Sequence, residues 1–379
     1  MTTEAEALRR SLAGQIADSG SPAGSGWRAA VENVPREVFL GDAVFRPDGA
    51  GWEPLRREEV GEREWLRLAH HDRTWVTQVE GTGAGDARAP VSGRPTSSST
   101  LPSQVVRMLD AAGIAATDQV LEIGTGTGYS TAILSHRLGD AHVTSVECDE
   151  SVAARAASAL RRAGYAPTLV VADGLRGWSA RAPYDALVAT CAVRHVPFSW
   201  MTQVRDGGTI TTTVGGWMLA SGLVRLTPAE DGSASGRFTG DRVSYMLARP
   251  HERPPGPGLF RYEGTVRECR VEPAVLDDWT GRFVAQLAAP SAELMAAGEG
   301  VALRDVATGS QAWTERAGNG WRVHQHGPLR LWDQVEEAIA AWRGAGAPDQ
   351  SAFGLTVAAD HTQRVWIGDP DGMSWALPA

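Results

Sequence analysis

Short apolar segments alternate with helical segments through the middle of the chain. The apolar segments have the length of a strand and are rich in Val, Ile, Thr or Leu. They span residues 119–123, 142–147, 168–173, 185–191 and 208–214. Residues 130–138 and 151–163 have helical character, and Gly164 is expected to end the second of these helices. Strands that alternate with helices predict a parallel sheet with helices on both of its faces.

The chain that precedes this alternation has a different character. The first 95 residues predict mixed, loop-rich structure, with a helical pattern at residues 27–40 that Pro35 ends or kinks. Residues 81–93 are rich in Gly, Ala and Pro, which predicts a flexible connection or a mobile flap.

A proline-rich break sets apart the last third of the chain, since residues 249–258 contain four prolines. Just before this break, residues 219–249 predict antiparallel strands. Beyond it, hydrophobic spacing predicts a helix at residues 331–343. Further apolar stretches predict strands at 355–358 and 364–367.

Composition narrows the class of protein. Hydrophobic residues make up 42% and charged residues 21% of the 379, which is typical of a soluble globular enzyme. The net charge is −9, so a nucleic-acid partner is not expected. All 36 basic residues are arginine, which says little about function. We find neither an apolar run of about 18 residues nor a secretory signal, so no membrane association is expected. Three widely spaced cysteines argue against a disulfide framework, and the expected compartment is a reducing cytoplasm.

Residues 120–131 carry the most informative motif, VLEIGTGTGYST. An apolar strand runs into Gly124, Gly126 and Gly128, and a helix is expected to follow. Glycine suits a loop that folds tightly over the end of a strand, because it tolerates positive φ and lets a ligand approach the bare backbone. The third glycine comes one residue too early for the dinucleotide-binding pattern, and the absence of lysine excludes a phosphate-binding P-loop.

Acidic residues stand at the ends of the strands next to this loop. Glu122 lies in the first strand, and Glu147 ends the second. Asp173 and Gly174 follow the third strand. This constellation resembles the class I methyltransferases that bind S-adenosylmethionine, and the resemblance implies that Glu147 holds the ribose while Asp173, with the backbone near Gly174, meets the adenine. A glycine-rich turn in an unrelated α/β domain is the alternative.

The same resemblance implies a fold and a cofactor, S-adenosylmethionine. The fold class is α/β, a Rossmann-like doubly wound sheet with an N-terminal helical or loop segment and an α+β C-terminal extension. Glu122 and residues 124–128 are expected to form the methionine side of the pocket. The expected cofactor-binding residues are Glu122, Gly124, Thr125, Gly126, Thr127, Gly128, Glu147, Cys148, Asp173 and Gly174.

Three further segments resemble the protein-L-isoaspartate O-methyltransferases. In that family a hydroxyl residue stands two positions before a proline that opens a helix, and Thr100 and Pro102 hold these places in PTSSSTLPSQVVRM (95–108). Upstream, VPREVFL (34–40) resembles the family's VPRxxF segment. Downstream, residues 182–210 resemble its fourth strand, its Val-Pro segment and its Gly-Gly turn.

The likeness is loose over residues 27–45, good over 96–215 and absent from the last 130 residues. The hydroxyl-rich residues 96–100 replace the family's usual Gln-Thr-Ile-Ser, and a long extension follows the core. Both departures resemble a branch associated with ribosomally made peptides such as lanthipeptides, graspetides and lasso peptides. In that branch an ordinary Asp of a precursor peptide is methylated, and the ester closes to a succinimide (aspartimide) that persists or hydrolyses to isoaspartate.

The expected chemistry depends on positioning rather than on acid–base catalysis. A carboxylate with its ordinary pKa of about 4 is already ionised at neutral pH, so methyl transfer to it requires no general base. Orientation and the removal of water remain as the tasks of the enzyme. Ser98, Ser99 and Thr100, at the N-terminus of a helix, are therefore expected to hold the acceptor carboxylate with hydroxyl and free N–H groups.

Several other features have simple structural explanations. Thr100 serves only as a helix N-cap in the alternative interpretation, and His195 as a packing or surface residue. The histidines at 70–71 and 324–326 lack a third ligand at suitable spacing, so no metal is expected. Cys191 follows an apolar strand and is expected to be a small buried residue.

Two more features fall in the extension. Most of its seven tryptophans after residue 275 are expected to lie in its core. Glu336 and Glu337, on the helix at 331–343, are expected on its solvated face.

The sequence thus predicts an S-adenosylmethionine-dependent carboxyl O-methyltransferase whose partner is a peptide or protein with Asp or isoAsp. The leading interpretation is methylation of Asp in a ribosomally made precursor peptide, and repair of isoaspartyl residues in damaged proteins is the alternative. A non-catalytic peptide-binding protein and a small-molecule methyltransferase are further alternatives. Residues 1–95 are expected to help cover substrate and cofactor, 96–249 to bind the cofactor and 250–379 to recognise the peptide.

Overall fold

The computed structural model describes residues 3–18, 24–49, 51–255 and 263–378. The chain divides into two compact units. The first comprises Met1–Thr190 and Thr202–Thr211, and the second comprises Cys191–Met201 and Thr212–Ala379. The chain passes between the units three times, after Thr190 and Thr211 within two long strands and after Met201, so these bounds differ from the three segments inferred from the sequence.

The first unit contains the predicted alternation of strands and helices. Its helices are α1 (Glu4–Asp18), α2 (Gly24–Asn33), α3 (Arg36–Leu40), α4 (Arg57–Val60), α5 (Glu62–Ala69), α6 (Pro102–Ala112), α7 (Tyr129–Leu138) and α8 (Glu150–Arg162). Its N-terminal strands are β1 (Ala43–Asp48), β2 (Gly51–Arg56), β3 (Trp75–Val79), β4 (Thr82–Gly83), β5 (Val91–Ser92) and β6 (Pro95–Ser99). Its later strands are β7 (Val120–Ile123), β8 (Val143–Glu147), β9 (Thr168–Val171), β10 (Tyr184–Val193) and β11 (Val204–Gly215).

The predicted parallel sheet is confirmed. Strands β10, β7, β8 and β9 are parallel neighbours in that order. All residues of β7 and β8 are buried, as expected for strands covered on both faces. The strand order reverses between β7 and β10, and ligands of such sheets bind at this reversal, beyond the carboxyl ends of the strands.

The first 95 residues are mixed, as predicted, with helices α1 to α5, but the expectation of loop-rich structure was wrong because the segment also forms an antiparallel sheet. The strand order is β4–β3–β1–β2–β5, and β6 pairs with β3. Pro47 and Pro54 lie within the paired strands β1 and β2 and obscure the strand pattern. Residues 81–93, expected to be a flexible connection, contribute β4 and β5 to this sheet. The sheet covers an apolar cluster formed by Leu40, Val44, Trp65, Ala69 and Trp75.

The second unit is α+β, as predicted. Its helices are α9 (Phe198–Met201), α10 (Trp279–Ala288) and α11 (Leu331–Gly344). One group of antiparallel neighbours comprises β12 (Ser221–Pro228), β13 (Ala234–Phe238), β19 (Phe353–Val357), β20 (Gln363–Ile367) and β21 (Ser374–Ala376). A five-stranded antiparallel sheet comprises β14 (Thr265–Glu268), β15 (Ala292–Ala297), β16 (Gly300–Asp305), β17 (Gln311–Ala317) and β18 (Gly320–His326).

The core of the second unit is rich in aromatic side chains. Phe283, Trp332 and Phe353 are fully buried, and four of the seven tryptophans predicted for this core are buried. The sequence missed α10 and the five-stranded sheet, because strands such as GWRVHQH (320–326) carry charged and polar residues at most positions. Among the residues that the structure describes, no helix is long and apolar enough to cross a membrane.

The expectation that Glu336 faces solvent was wrong. Its side chain is 1% exposed, and its Oε2 accepts hydrogen bonds from Arg267 at 2.7 Å and Arg270 at 2.8 Å. Its Oε1 accepts from Arg270 N at 2.7 Å and Val271 N at 3.3 Å. Burial alone would raise the pKa of Glu336, but the hydrogen bonds from the two arginines outweigh it and hold the pKa below its ordinary value. Glu337, on the opposite face, is exposed.

We predict that Glu336→Gln lowers the free energy of unfolding by about 2 kcal/mol, because the buried side chain loses its charge-assisted hydrogen bonds to two partly exposed arginines. Glu337→Gln should change it by less than about 0.5 kcal/mol. Because the pKa of Glu336 is lowered in the folded state, its contribution should be present above its unfolded pKa and lost as the pH falls through the folded value. Urea unfolding of both variants at several pH values checks this, and equal stabilities for the two would contradict it.

Candidate active site

A glycine loop follows β7 at the point where the strand order reverses. Gly124, Gly126 and Gly128 have φ of 95°, 55° and 89°, a conformation that residues with a Cβ rarely adopt. A Cβ on Gly124 would lie 2.8 Å from Thr190 Oγ1, and this hydroxyl donates a hydrogen bond to the Gly124 carbonyl. The end of β10 therefore fixes the start of the loop, and only glycine fits there.

Glu122 supports the loop and does not face the space beyond it. Its side chain is fully buried, and its carboxylate accepts hydrogen bonds from the hydroxyls of Ser130, Thr131 and Ser145. Burial raises the pKa of Glu122, although these hydroxyls oppose the rise. Glu122 was expected on the methionine side of the pocket. The structure gives it an indirect role there, because its carboxylate joins β7 to β8 and α7 and so supports the loop.

Glu147 lies where the sequence predicts it, at the carboxyl end of β8. Its Oε2 accepts a hydrogen bond from Gly126 N at 2.9 Å, and its Oε1 accepts one from Asp149 N at 3.1 Å. The neighbouring Cys148 is exposed, and its Sγ lies 3.6 Å from Glu147 Oε1. The carboxylate therefore touches the glycine loop and retains lone pairs that can accept from a ligand hydroxyl.

Asp173 and Gly174 form a turn after β9. Asp173 is exposed, and its Oδ1 accepts a hydrogen bond from Leu175 N at 3.0 Å. A Cβ on Gly174 would lie 2.5 Å from Ile123 Cγ2, so only glycine lets this turn approach the end of β7 so closely. The turn therefore stands beside the strand that leads into the glycine loop.

The hydroxyl-rich segment lies beside the glycine loop but forms a strand. Residues 95–99 form β6, whereas the sequence placed Ser98 and Ser99 at a helix N-terminus. A Cβ on Gly126 would have one neighbour within 4 Å, the Ser98 carbonyl oxygen at 3.6 Å. Because side chains alternate along a strand, buried Ser97 and Ser99 share one face. Half-buried Ser98 and Thr100 lie on the other face, so the structure separates Ser99 from its two neighbours.

The expectation of free N–H groups at the start of α6 was wrong. Ser103 N donates to Asp72 Oδ1 at 2.9 Å, and Leu101 N donates to Thr74 Oγ1 at 3.1 Å. Leu101 is the N-cap residue and no side chain caps the helix from that position, so the N-cap alternative for Thr100 was wrong too. The carboxylate of Asp72 already holds this helix terminus, and the Thr100 hydroxyl has no hydrogen-bond partner among the described residues.

Comparison with known proteins decides the family. The sequence model of the family described as protein-L-isoaspartate(D-aspartate) O-methyltransferase matches residues 71–245. A protein-L-isoaspartate O-methyltransferase of Rhodopseudomonas palustris is 39% identical over 214 residues, which are 56% of this chain and 80% of that protein. The chain belongs to the protein-L-isoaspartate O-methyltransferase family. It is therefore an S-adenosylmethionine-dependent carboxyl O-methyltransferase.

Two further comparisons describe how far the likeness extends in this family. A protein-L-isoaspartate O-methyltransferase of Cupriavidus necator is 39% identical over 137 residues, 36% of this chain and about half (52%) of that relative. A solved protein-L-isoaspartate O-methyltransferase matches 95% of this chain and 100% of its own, with a TM-score of 0.55 and 18% identity. The fold of the second unit thus also occurs in a solved structure of that name.

The described residues of this family member fit S-adenosylmethionine. There is open space where a Cβ would stand on Gly126: among the described residues, and apart from the two neighbours in the chain, only Ser98 O lies within 4 Å of that place. The Glu147 carboxylate borders the same space through its hydrogen bond to Gly126 N. A carboxylate at the end of the second strand suits the ribose diol, and bare loop backbone suits close approach of a ligand.

Sequence reasoning missed Arg36, although it lies in the VPREVFL segment. Its guanidinium is fully buried and donates to the carbonyl oxygens of Ala69 (2.8 Å), His71 (2.9 Å) and Arg73 (2.7 Å). It also donates to the carbonyls of Ser99 (3.3 Å) and Thr100 (3.2 Å). Burial lowers the pKa of Arg36 to about 10, so the group stays charged at neutral pH. In this methyltransferase a buried cation therefore holds the end of β6 in place.

The histidines and the cysteine that the sequence analysis considered lie among ordinary packing and hydrogen-bonding partners. No group of three or more His, Cys, Asp or Glu side chains suited to a metal occurs in the described part of the chain. His70 Nε2 lies 3.0 Å from Glu37 Oε2, and the His324 ring stacks on Trp313. His195 is half-buried, and burial together with nearby Arg194 lowers its pKa. Cys191 is half-buried rather than fully buried.

We predict that Arg36→Met lowers the free energy of unfolding by about 4 kcal/mol, because several buried carbonyl groups lose their donor. Arg36→Lys should cost less, since an ammonium still offers three donors but from a single atom. Arg10→Met, at an exposed position with one hydrogen bond to Glu6 O, is the control and should change stability by less than about 0.5 kcal/mol. Urea unfolding midpoints that are equal for Arg36→Met and Arg10→Met would refute this role.

Proposed function

We propose that the chain methylates the free carboxylate of an isoaspartyl residue in a peptide or protein. The observation that carries the proposal is the position of β6, whose Ser98 carbonyl lies against the glycine loop at Gly126. An acceptor held along Ser98 and Thr100 would then lie next to the cofactor. The two relatives described above bear the name of this activity.

The residues of the site suit methyl transfer to a carboxylate, which is already ionised at neutral pH. S-adenosylmethionine, when bound, supplies a methyl group on a positively charged sulfur. A carboxylate with an ordinary pKa needs no base to accept it, and apart from Pro95 the side chains of β6 are hydroxyls and not titratable groups. We assign to Ser98 and Thr100 the task of donating hydrogen bonds to the acceptor carboxylate.

The ester that forms accounts for the later chemistry. Methylation turns the carboxylate into an ester, whose leaving group is methoxide. The following backbone nitrogen attacks the ester carbonyl and loses its proton, methanol leaves, and a five-membered succinimide forms. This closure requires no further residue of the enzyme, and hydrolysis of the succinimide yields Asp or isoAsp.

The cofactor contacts are assigned from the strand ends. Glu147 is proposed to accept hydrogen bonds from the ribose hydroxyls, and Asp173 with the backbone near Gly174 to contact the adenine. Cys148 would border the ribose, and the backbone of residues 124–128, including Thr125 and Thr127, the methionine moiety. Glu122 would act through the loop that it supports.

An ordinary Asp of a ribosomally made precursor peptide is the second candidate acceptor. The hydroxyl-rich residues 96–100 favour it, because they depart from the segment usual in the repair enzymes. The long extension does not distinguish the two acceptors, since a solved protein-L-isoaspartate O-methyltransferase matches nearly the whole chain. For either acceptor, we assign residues 250–379 to peptide recognition and residues 1–95 to covering the substrate and cofactor.

Two matched peptides, one with Asp-Gly and one with isoAsp-Gly, distinguish the acceptors. We predict that mass spectrometry shows gain of a methyl group and then loss of methanol on the isoAsp peptide. Its free carboxylate is the α-carboxylate, attached directly to Cα, which is the acceptor that we propose. The same peptides without cofactor are the control. Reaction of the Asp peptide alone would reject the first proposal and support the second.

The alternation along β6 makes a sharp prediction about its hydroxyls. Thr100→Val should lower kcat/KM about tenfold or more, because a hydrogen bond to a charged group is lost, whereas Thr100→Ser should retain most activity. Ser99→Ala should be nearly neutral, since its buried Oγ has no partner among the described residues. Equal activity of Thr100→Val and Ser99→Ala in a methanol-release assay would disprove the assignment.

A further inference from the structure

Gln78 links the candidate acceptor strand to the strand end that carries Glu147. It lies in β3, is fully buried and pairs in register with Ser97 of β6. Its side-chain Oε1 accepts a hydrogen bond from Thr96 Oγ1 at 2.7 Å. Its Nε2 donates to Asp149 Oδ2 at 3.2 Å. The amide therefore bridges β6 and Asp149, the N-cap residue of α8.

Asp149 carries this link to Glu147. Asp149 N donates to Glu147 Oε1 at 3.1 Å, and the other oxygen of Glu147 accepts from Gly126 N at 2.9 Å. The Oδ1 of Asp149 caps α8 by accepting from the main-chain N–H groups of Ser151 and Val152, at 2.9 and 3.0 Å. Asp149 is thus held by the helix on one side and by Gln78 on the other.

These bonds complete a closed circuit around the candidate site. One path runs from β6 through Gln78 and Asp149 to Glu147, and then to Gly126. The other path is direct, because the Ser98 carbonyl lies against Gly126. A shift of β6 must therefore disturb the carboxylate assigned to the ribose.

The chemistry of the amide explains why glutamine stands at this position. It must accept from a hydroxyl and donate to a carboxylate at the same time, and an amide does both with two neighbouring atoms. Glutamate would place a second negative charge against Asp149, and leucine would remove the acceptor of the Thr96 hydroxyl and one donor to Asp149 Oδ2. Unmatched buried polar groups are costly, so the circuit holds only while all of its members are in place.

We propose that Gln78 is a positioning residue that couples the acceptor strand to the cofactor site through Asp149 and Glu147. The proposal rests on the proposed function in placing the acceptor on β6 and the ribose on Glu147. Because coupling between two sites is reciprocal, a bound peptide should change cofactor affinity by the same factor as the cofactor changes peptide affinity.

Thr77 offers a matched control in the same strand pair. Its Oγ1 donates to Ser97 Oγ at 3.2 Å, which is another side-chain bridge between β3 and β6. Among the described residues, no side-chain hydrogen bond from Thr77 or Ser97 leads on to Asp149 or Glu147. Thr77→Val therefore tests the loss of a strand bridge alone.

The experiment measures binding of S-adenosylhomocysteine, the demethylated form of the cofactor, by titration calorimetry, with thermal melting alongside. Gln78→Leu should raise its Kd by about tenfold, since a hydrogen bond to a charged group is lost. Thr77→Val should lower the melting temperature but leave Kd unchanged. An unchanged Kd in Gln78→Leu, or an equal rise in Thr77→Val, overturns the proposal.

A milder variant keeps the test informative if Gln78→Leu does not fold. Thr96→Val removes one hydroxyl at the far end of the circuit. It should also raise the Kd for S-adenosylhomocysteine, although Gln78 and Asp149 stand between Thr96 and Glu147 in the series of hydrogen bonds. The double variant Gln78→Leu/Thr96→Val should be no weaker than Gln78→Leu, whereas additive effects would contradict a shared path.

Calorimetry separates this proposal from the assignment of the acceptor, because it needs no peptide. Normal cofactor binding by the wild type and by Gln78→Leu would overturn the role of Gln78 and leave the isoaspartyl acceptor standing. Weakened binding in Gln78→Leu, with no reaction of the isoAsp peptide in the wild type, would support Gln78 and reject that acceptor.

Discussion

The guanidinium of Arg36 lies where water is excluded, and five main-chain carbonyl oxygens replace the water that it has lost. These carbonyls belong to residues 69–73 and 99–100, which are far apart in sequence. A buried cation is costly unless hydrogen bonds compensate for the water that it has lost. Among the described residues the Nε of Arg36 has no partner, so the acceptors of its two terminal nitrogens carry this compensation, and both segments must reach their final positions together. The strand that borders the glycine loop is thus fixed by a cation whose hydrogen-bond acceptors, in the described part of the chain, are all main-chain carbonyls.

The glycine loop depends on a buried acidic side chain. Glu122 is surrounded by hydroxyls instead of arginines, and burial raises its pKa while the hydroxyls limit the rise. Neutral donors stabilise the carboxylate without adding a positive charge near the site, which would repel a positively charged sulfonium ligand. The strand β6 and the glycine loop are therefore organised by separate buried side chains, Arg36 and Glu122, and Gln78 links β6 to Asp149, which binds Glu147 beside the loop.

In the second unit, too, a buried ionisable side chain holds separate segments together, here through ion pairs. Glu336 is buried against Arg267 and Arg270, and its second oxygen binds two main-chain N–H groups. This arrangement ties α11 to the segment after β14 within an aromatic core that includes Trp332. Since a solved relative shares the fold over nearly the whole chain, the extension belongs to the architecture of a family member and does not itself identify the acceptor.

The sequence by itself determined the parallel sheet, the glycine loop and the acids at the strand ends, because each follows from local periodicity or from the backbone freedom of glycine. Hence Glu147, Asp173 and residues 124–128 lie at the expected strand ends. Only the tertiary structure decided what depends on partners distant in sequence. It placed Ser98 and Ser99 on a strand, assigned the start of α6 to Asp72, and buried Arg36 and Glu336. From the sequence alone, a charged side chain is expected at the surface. Only the folded structure shows whether hydrogen-bonding groups from distant segments compensate for the cost of burying it.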